Sequence, residues 1–244
     1  MTTPPSVDRL RRLARSSPWL WHSIEFRWRD GRGDMRHAWI RRPGDLRVED
    51  ADGNVLEVST AARPFPGAMY SANGSGWKQM PGRWATEVQP ILADDGLVEA
   101  VPDDIDVDYD QPFFQDYRWV AMLNPIELAD RVHDRDDPKV IPVDLHDVVR
   151  VEHHRRPALQ ATAQPTPAYD PRCDCCPLLI GKFDHETDLW APGPPSLVRI
   201  DEQTGICVSV EQPSWNDLHV EIIAVDQPLS NDPFTPPRRK WFRR

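Results

Sequence analysis

The chain has 244 residues, with 39 Asp and Glu against 29 Lys and Arg and a formal net charge of −10. A chain this long buries about 70–75 % of its unfolded surface, enough for one large domain or two small ones. The acidic balance argues against a general nucleic-acid binder, and no apolar run approaches the ~20 residues of a membrane-spanning helix.

Proline is unusually common, 26 residues or about 11 %, against a usual level of about 5 %. Proline is kept out of helix interiors and central strands, so loops and strand ends must be abundant. There are 10 Trp, and all but four of the 29 basic residues are Arg, which suits exposed cationic sites to bidentate contacts. The opening segment is basic without the apolar stretch of an export signal. That reading places the chain in the cytoplasm with its four cysteines reduced.

In chain order, Ser6 caps a predicted helix over residues 7–16, with Val7, Leu10, Leu13 and Ala14 on one face and Arg9, Arg11, Arg12 and Arg15 on the other. Such an arginine face is either a contact for an acidic partner or the outside of an ordinary packed helix. After Pro18 the period falls to two. Residues 20–58 read as four antiparallel strands, with turns at Gly31–Asp34, Arg42–Asp45 and Asp52-Gly53. Residues 60–96 read as a long loop or irregular strands, and Val101–Tyr109 as a strand.

Asn124, Pro125 and Glu127 carry the sequence pattern of a helix start, predicting a helix over about 125–133. Residues 142–152 and 158–163 read as a hairpin turned at His153–Pro157. A proline-rich connection, 164–171, leads to the cysteines. Residues 197–201, 206–211 and 218–226 read as three closing strands, and the end, 236–244, as a basic, frayed tail. One domain over 1–235 is expected.

The local sequence Cys173-Asp174-Cys175-Cys176 is the most unusual in the chain. Thiolates bind zinc, usually four ligands in a tetrahedron. Cys173 and Cys175, with Cys207 and one histidine such as His185, make a possible set, and Cys176 is a further candidate ligand. Cys173 and Cys176 also have the Cys-x-x-Cys spacing of a redox pair, without the βαβ context. The plain alternative is a tight proline-flanked turn with inert thiols. The acidic run Asp103–Asp110 lacks the glycine and distal glutamate of a calcium loop and reads as a solvated strand face. Ser75 has no nucleophile elbow around it, and His153-His154 sits at a predicted turn, where paired histidines are usually solvent-exposed. There is no phosphate-cradling loop. No catalytic residue is assigned and no enzyme is expected.

Several stretches carry a resemblance. Phe26-Arg27-Trp28, then His37–Glu49 and Asp52-Gly53, resemble the opening strands of LolA/RseB-like lipoprotein-carrier proteins. Leu123–Ala129 looks like their central helix, Val198–Gly205 is similar to their "W-[IV]-D-x-x-T-G" hairpin, and Leu229–Phe234 to their closing segment. The resemblance implies a half-barrel closed by helices over an apolar cavity, in a family that binds acyl chains or a regulatory partner. The missing export signal and the cysteine cluster depart from that pattern.

The combined expectation is an α+β fold, mainly a curved antiparallel sheet wrapped around two or three helices. Its concavity would bind an apolar or lipid-like ligand, lined by Trp21, Phe26, Trp28, Trp39, Trp77, Trp84 and Trp119. Two other readings stand beside it: a protein-interaction module with a filled core, its partner unidentified, and a zinc-binding protein using Cys173, Cys175, Cys176 and Cys207.

Overall fold

A computed structural model describes residues 4–31, 33–60, 63–64, 69–71, 77–79, 81–102, 105–130, 140–187, 189–213, 217–229 and 232–235. Helix α1 spans Val7–Leu20. Strands β1 Ser23–Asp30, β2 Arg36–Arg41, β3 Asp45–Glu49 and β4 Val55–Thr60 follow as a meander. Beyond several short strands, described between residues 69 and 108, come a second helix, α2 Tyr117–Leu123, and the hairpin β5 Val143–His153 and β6 Arg156–Pro165. Strands β7 Ser196–Asp201, β8 Cys207–Glu211 and β9 Leu218–Val225 close the fold.

These nine strands form one sheet in the order β5-β6-β7-β8-β9-β1-β2-β3-β4. Each neighbouring pair is antiparallel. The two halves of the chain are each a meander, joined where β1 pairs with β9, with Trp28 opposite Val220. Short two-stranded pairs lie outside this sheet, including Gly181–Asp184 with Leu189–Pro192.

Strand alternation separates the two faces. On β1, Ile24, Phe26 and Trp28 are buried while Arg27 and Arg29 are exposed. On β9, Leu218, Val220 and Ile222 are buried between less buried His219 and Glu221. The inner face packs on Leu10, Leu13 and Ala14 of α1 and on Trp119, Val120 and Met122 of α2. The fold is therefore α+β and mainly antiparallel, with two helices on one face of an open sheet.

Helix α1 begins at the expected cap, where Ser6 Oγ accepts from the Arg9 amide. It continues through Pro18, four residues beyond the expected end. Its last turn is held from outside: the Arg42 guanidinium donates to the Ser17 carbonyl and the Trp21 indole to Ser17 Oγ. These contacts satisfy groups that the end of the helix leaves open, while the bond that Pro18 cannot donate is the one to the Ala14 carbonyl. The arginines of α1 are bound within the fold. Arg9 and Arg12 pair with Asp95, Arg15 with Asp130, and Arg11 donates to the Val143 carbonyl.

The helix expected at 125–133 is not formed over its described part. Only Ile126–Leu128 make a single 3-10 turn, and residues 131–133 lie outside the described residues. Asn124 ends α2 instead of starting a helix. Its side chain is committed elsewhere, donating to the Tyr109 carbonyl and accepting from Arg42. The Glu127 carboxylate accepts from Tyr169 Oη at 2.6 Å and from Arg172, so it does not reach back to cap anything. The strand expected over 101–109 is reduced to Asp106–Asp108, paired in parallel with Gly82–Trp84. The acidic residues 103–104 and the tail 236–244 fall outside the described residues.

Candidate functional site

Four of the aromatic residues singled out by sequence lie on the inner side of the sheet. Phe26 and Trp28 point inward together because they are two apart on β1. Trp119 meets them from α2, with ring centroids 5.5 Å from Phe26 and 4.7 Å from Trp28. Trp21, just after α1, is also buried, with the Arg42 guanidinium 3.7 Å from its ring centroid. Phe114, which sequence reasoning did not select, completes the stack at 5.8 Å from Trp28 and 5.5 Å from Trp119. Aromatic pairs of this geometry contribute about 0.5–1.5 kcal/mol each beyond their buried area.

The other candidates are placed apart. Trp39 is on the outer face of β2, stacked on His37 at 3.9 Å, because Ala38 and Ile40 take the inner positions. Trp39 therefore does not line the same pocket as Trp28. Trp84 borders a separate niche of about 20 Å³ with Pro18, Arg42 and Asn124. Trp77 begins the short strand Trp77–Gln79, and its side chain lies outside the described residues.

The aromatic stack reaches the surface at one point. Residues 111–116 run as an irregular strap from the acidic segment to the start of α2. The Trp119 indole donates to the Pro112 carbonyl at 2.8 Å, and Arg36 donates to the Gln115 side chain. Arg36 also lies over both Trp28 and Phe114, 5.7 Å from each ring centroid. Beneath the strap is a cleft of about 30 Å³ bordered by Trp28, Arg36, Phe114, Trp119, Met122 and Leu218, room for only a few water-sized groups. On the strap's outer side Phe113 and Tyr117 form a ring pair at 5.3 Å, each 39 % exposed.

Polar groups bound the same cleft. The buried Arg118 guanidinium pairs with Asp30 at 3.0 Å and donates to the Pro177 carbonyl. Burial pushes the Asp30 carboxyl up, against the pull of Arg118. Asp116 caps α2 by accepting from the Arg118 and Trp119 amides. No helix is assigned to 117–123 from the sequence alone; Asp116 as a cap before Val120, Ala121 and Leu123 is the signal that could have found α2.

The thiol cluster adjoins this site. Cys176 is hydrogen-bonded to the backbone of Tyr117 and Arg118, which ties the cysteine loop to the start of α2. Cys173, Cys175 and Cys176 converge within 4.8 Å. Their Sγ atoms are 2.7 Å apart for Cys173 and Cys175, and 3.8 Å for Cys175 and Cys176. Hydrogen bonds from the Cys175 thiol and from nearby amides hold the Cys173 thiol below its ordinary range. Burial pushes Cys176 up to about 12.

Cys207 does not join this group. It is buried on β8, its thiol directed to the Ser209 carbonyl, and burial raises its pKa to about 12. His185 is also outside the group, its ring packed on Phe183. The cysteine loop is anchored by Arg172, whose guanidinium meets Glu127 at 3.2 Å with both side chains almost fully buried. No described helix is long and apolar enough to cross a membrane.

The sequence matches no protein-family model and no curated protein. Among solved structures it is similar to MucB, with 13 % identity over 95 % of this chain and 62 % of that chain, at a TM-score of 0.42. It is also similar to LprF from Mycobacterium bovis, with 11 % identity over 93 % of this chain and 97 % of that chain, at a TM-score of 0.37. The chain thus spans less than two thirds of the MucB structure. At such identity and superposition these likenesses assign no activity.

Proposed function

We propose that this chain is a non-enzymatic binding protein that seats an apolar group against the Trp28–Phe114–Trp119 layer under the 111–116 strap. The observation that carries this reading is the continuity of the aromatic layer. It runs from Phe26 through Trp119 and Trp28 to Phe114 and ends at the cleft that Trp28, Phe114 and Trp119 border beneath the strap. The closed cleft of about 30 Å³ is far below the roughly 300–1,000 Å³ of a small-molecule site. Binding anything of acyl-chain size therefore requires the strap to lift, breaking the Arg36–Gln115 and Trp119–Pro112 contacts.

The test is native mass spectrometry of gently purified protein, with displacement of an apolar fluorescent dye by fatty acids. Binding that weakens about tenfold or more when Phe114→Ala removes one wall supports the reading, a loss of about 1.4 kcal/mol. A clean apo mass together with no dye binding overturns it and leaves the interaction-module reading ahead.

The convergence of Cys173, Cys175 and Cys176 favours a second reading, in which these thiols hold a soft or borderline metal ion such as zinc. Zinc would protect the three from alkylation until chelator is added. A zinc-free protein whose thiols alkylate at once overturns that reading.

A further inference from the structure

A second convergence of ligating side chains lies on the outer face of the sheet. His153 and His154 come from the β5–β6 turn and His219 from β9, with one ring nitrogen of each within 4.8 Å of the others. His219 points outward because its neighbours Leu218 and Val220 face the core. We propose that His153, His154 and His219 form a binding site for a divalent transition-metal ion of the zinc class, with a fourth position open to solvent.

The ring geometry suits three ligands. His153 donates its Nε2–H to the Val220 carbonyl at 2.8 Å. That bond fixes the ring and leaves the lone pair on Nδ1, the usual orientation of a ligating imidazole whose other nitrogen is held by a carbonyl. The Nε2 atoms of His154 and His219 face each other at 2.9 Å. Tetrahedral ligands at the usual Zn–N length stand about 3.3–3.4 Å apart, so to hold the ion His154 and His219 part by a few tenths of an ångström and the His153 nitrogen, within 4.8 Å, closes on them. The site is reachable, since His154 is exposed and the other two are half-buried.

The backbone supplies an independent observation. The β5–β6 turn has two central residues, His154 and Arg155, both at positive φ, 48° and 64°. Such a turn is normally made by Asn-Gly or Asp-Gly. A histidine held there is an observed departure from local preference of the kind that clusters at functional positions. Strand pairing leaves room for the third ligand. Among the described residues, β8 and β9 pair at Ser209–His219 and Val210–Leu218, and just beyond them His153 takes the Val220 carbonyl.

The surrounding charges are mixed. Arg199 and Asp201 act on His153, and Arg29 and Glu221 on His219. Burial, above all, holds both His153 and His219 below the ordinary histidine range. Imidazole ligands suit zinc, copper and nickel, and three with an open position fit zinc geometry.

The test uses the full chain with Cys173, Cys175 and Cys176 replaced by serine, so that thiol binding cannot contribute. Co²⁺ is titrated in, followed by Zn²⁺ in competition. The expected result is one ion per chain, with tetrahedral d–d absorption and no sulfur-to-cobalt charge transfer. His154→Asn keeps a residue that accepts positive φ and removes a ligand. In that background it should weaken binding at least about tenfold, and His219→Asn should do the same. Failure of the triple-serine chain to bind, or binding unchanged in both histidine variants, overturns the proposal. Dye binding at the aromatic cleft is read separately, so the two proposals fail independently.

Discussion

Arg172 is the residue whose removal should reveal most about how the candidate site is held. Its guanidinium and the Glu127 carboxylate are 2 % and 1 % exposed and lie 3.2 Å apart. The same carboxylate accepts from Tyr169 Oη at 2.6 Å and from the Arg172 amide at 3.1 Å. Arg172 also donates to the Asn124 carbonyl at 3.1 Å and to Asp110 at 2.9 Å. Replacing Arg172 with methionine keeps most of the volume and leaves Glu127 charged in the interior. Breaking a buried pair from one side costs about 3–5 kcal/mol, most of it from the stranded charge. For a chain of this size 1 kcal/mol moves Tm by about 2–4 °C, so the loss is about 6–20 °C.

The assay is urea unfolding followed by tryptophan fluorescence, with the double variant Arg172→Met/Glu127→Gln alongside. Glutamine keeps an acceptor for the Tyr169 hydroxyl and the Arg172 amide without the charge. The double variant should therefore recover about half of the loss or more, showing coupling between the sites. Because Arg172 directly precedes the cysteine loop, alkylation of Cys173 should also accelerate in the single variant. A single-variant loss below about 1 kcal/mol, the range of an exposed pair, or a double variant less stable than the single, would refute the account of a buried charge.

Gly205 has φ +70°, and a Cβ there would lie 2.6 Å from the Leu13 carbonyl oxygen. Gly205→Ala should cost about 2–3 kcal/mol in chemical denaturation from the crowding of α1. Gly53→Ala, at φ +82° in open space, should cost nearer 1 kcal/mol; equal losses would show that the approach of α1 does not matter. Trp119→Phe removes the indole bond to the Pro112 carbonyl. It should cost about 1–2 kcal/mol and speed amide exchange in residues 111–116, measured by hydrogen–deuterium exchange. Burial beside Glu127 raises the Tyr169 hydroxyl well above its ordinary range. The unfolded phenol ionises near pH 10 and the folded one stays protonated, so this stability is full below pH 10 and falls as pH rises through it. Unfolding midpoints from pH 8 to 11 should show a shallower fall in Tyr169→Phe, with half-buried Tyr109, also raised, retaining its own share.

The sheet was legible because period-two alternation reports directly which side of a strand is buried. Ile24, Phe26 and Trp28 alternate with charged residues, and the structure buries those three. Turn chemistry set the strand breaks too: Gly53 takes φ +82° between β3 and β4. The helices were less legible because local signals compete with distant partners. Asn124-Pro125 followed by Glu127 is a sound local pattern for a helix start. Distant residues claim both side chains, Arg42 at Asn124 and Tyr169 with Arg172 at Glu127. Two buried polar groups left unsatisfied would cost more than the few turns of helix they would begin.

The candidate sites show where such reading stops. Choosing aromatic residues by type brought together Trp28 and Trp119, which are far apart in sequence, but placed Trp39 with them although it belongs to the other face of β2. Alternation along one strand sorts faces; it does not say which strands become neighbours. The histidines make the same point more sharply. His153 and His154 read as an exposed turn, and the turn is there. What gives them a third imidazole is His219 on β9, with the neighbouring Val220 carbonyl holding His153 beside it. The β5–β6 turn reaches a strand that is not its pairing neighbour in the sheet and lies 65 residues on in the chain, and no local pattern encodes that adjacency. A metal at these histidines would therefore fasten the β5–β6 hairpin to β9, and its binding would report on how the hairpin sits over β9 as much as on the turn that supplies two of its ligands.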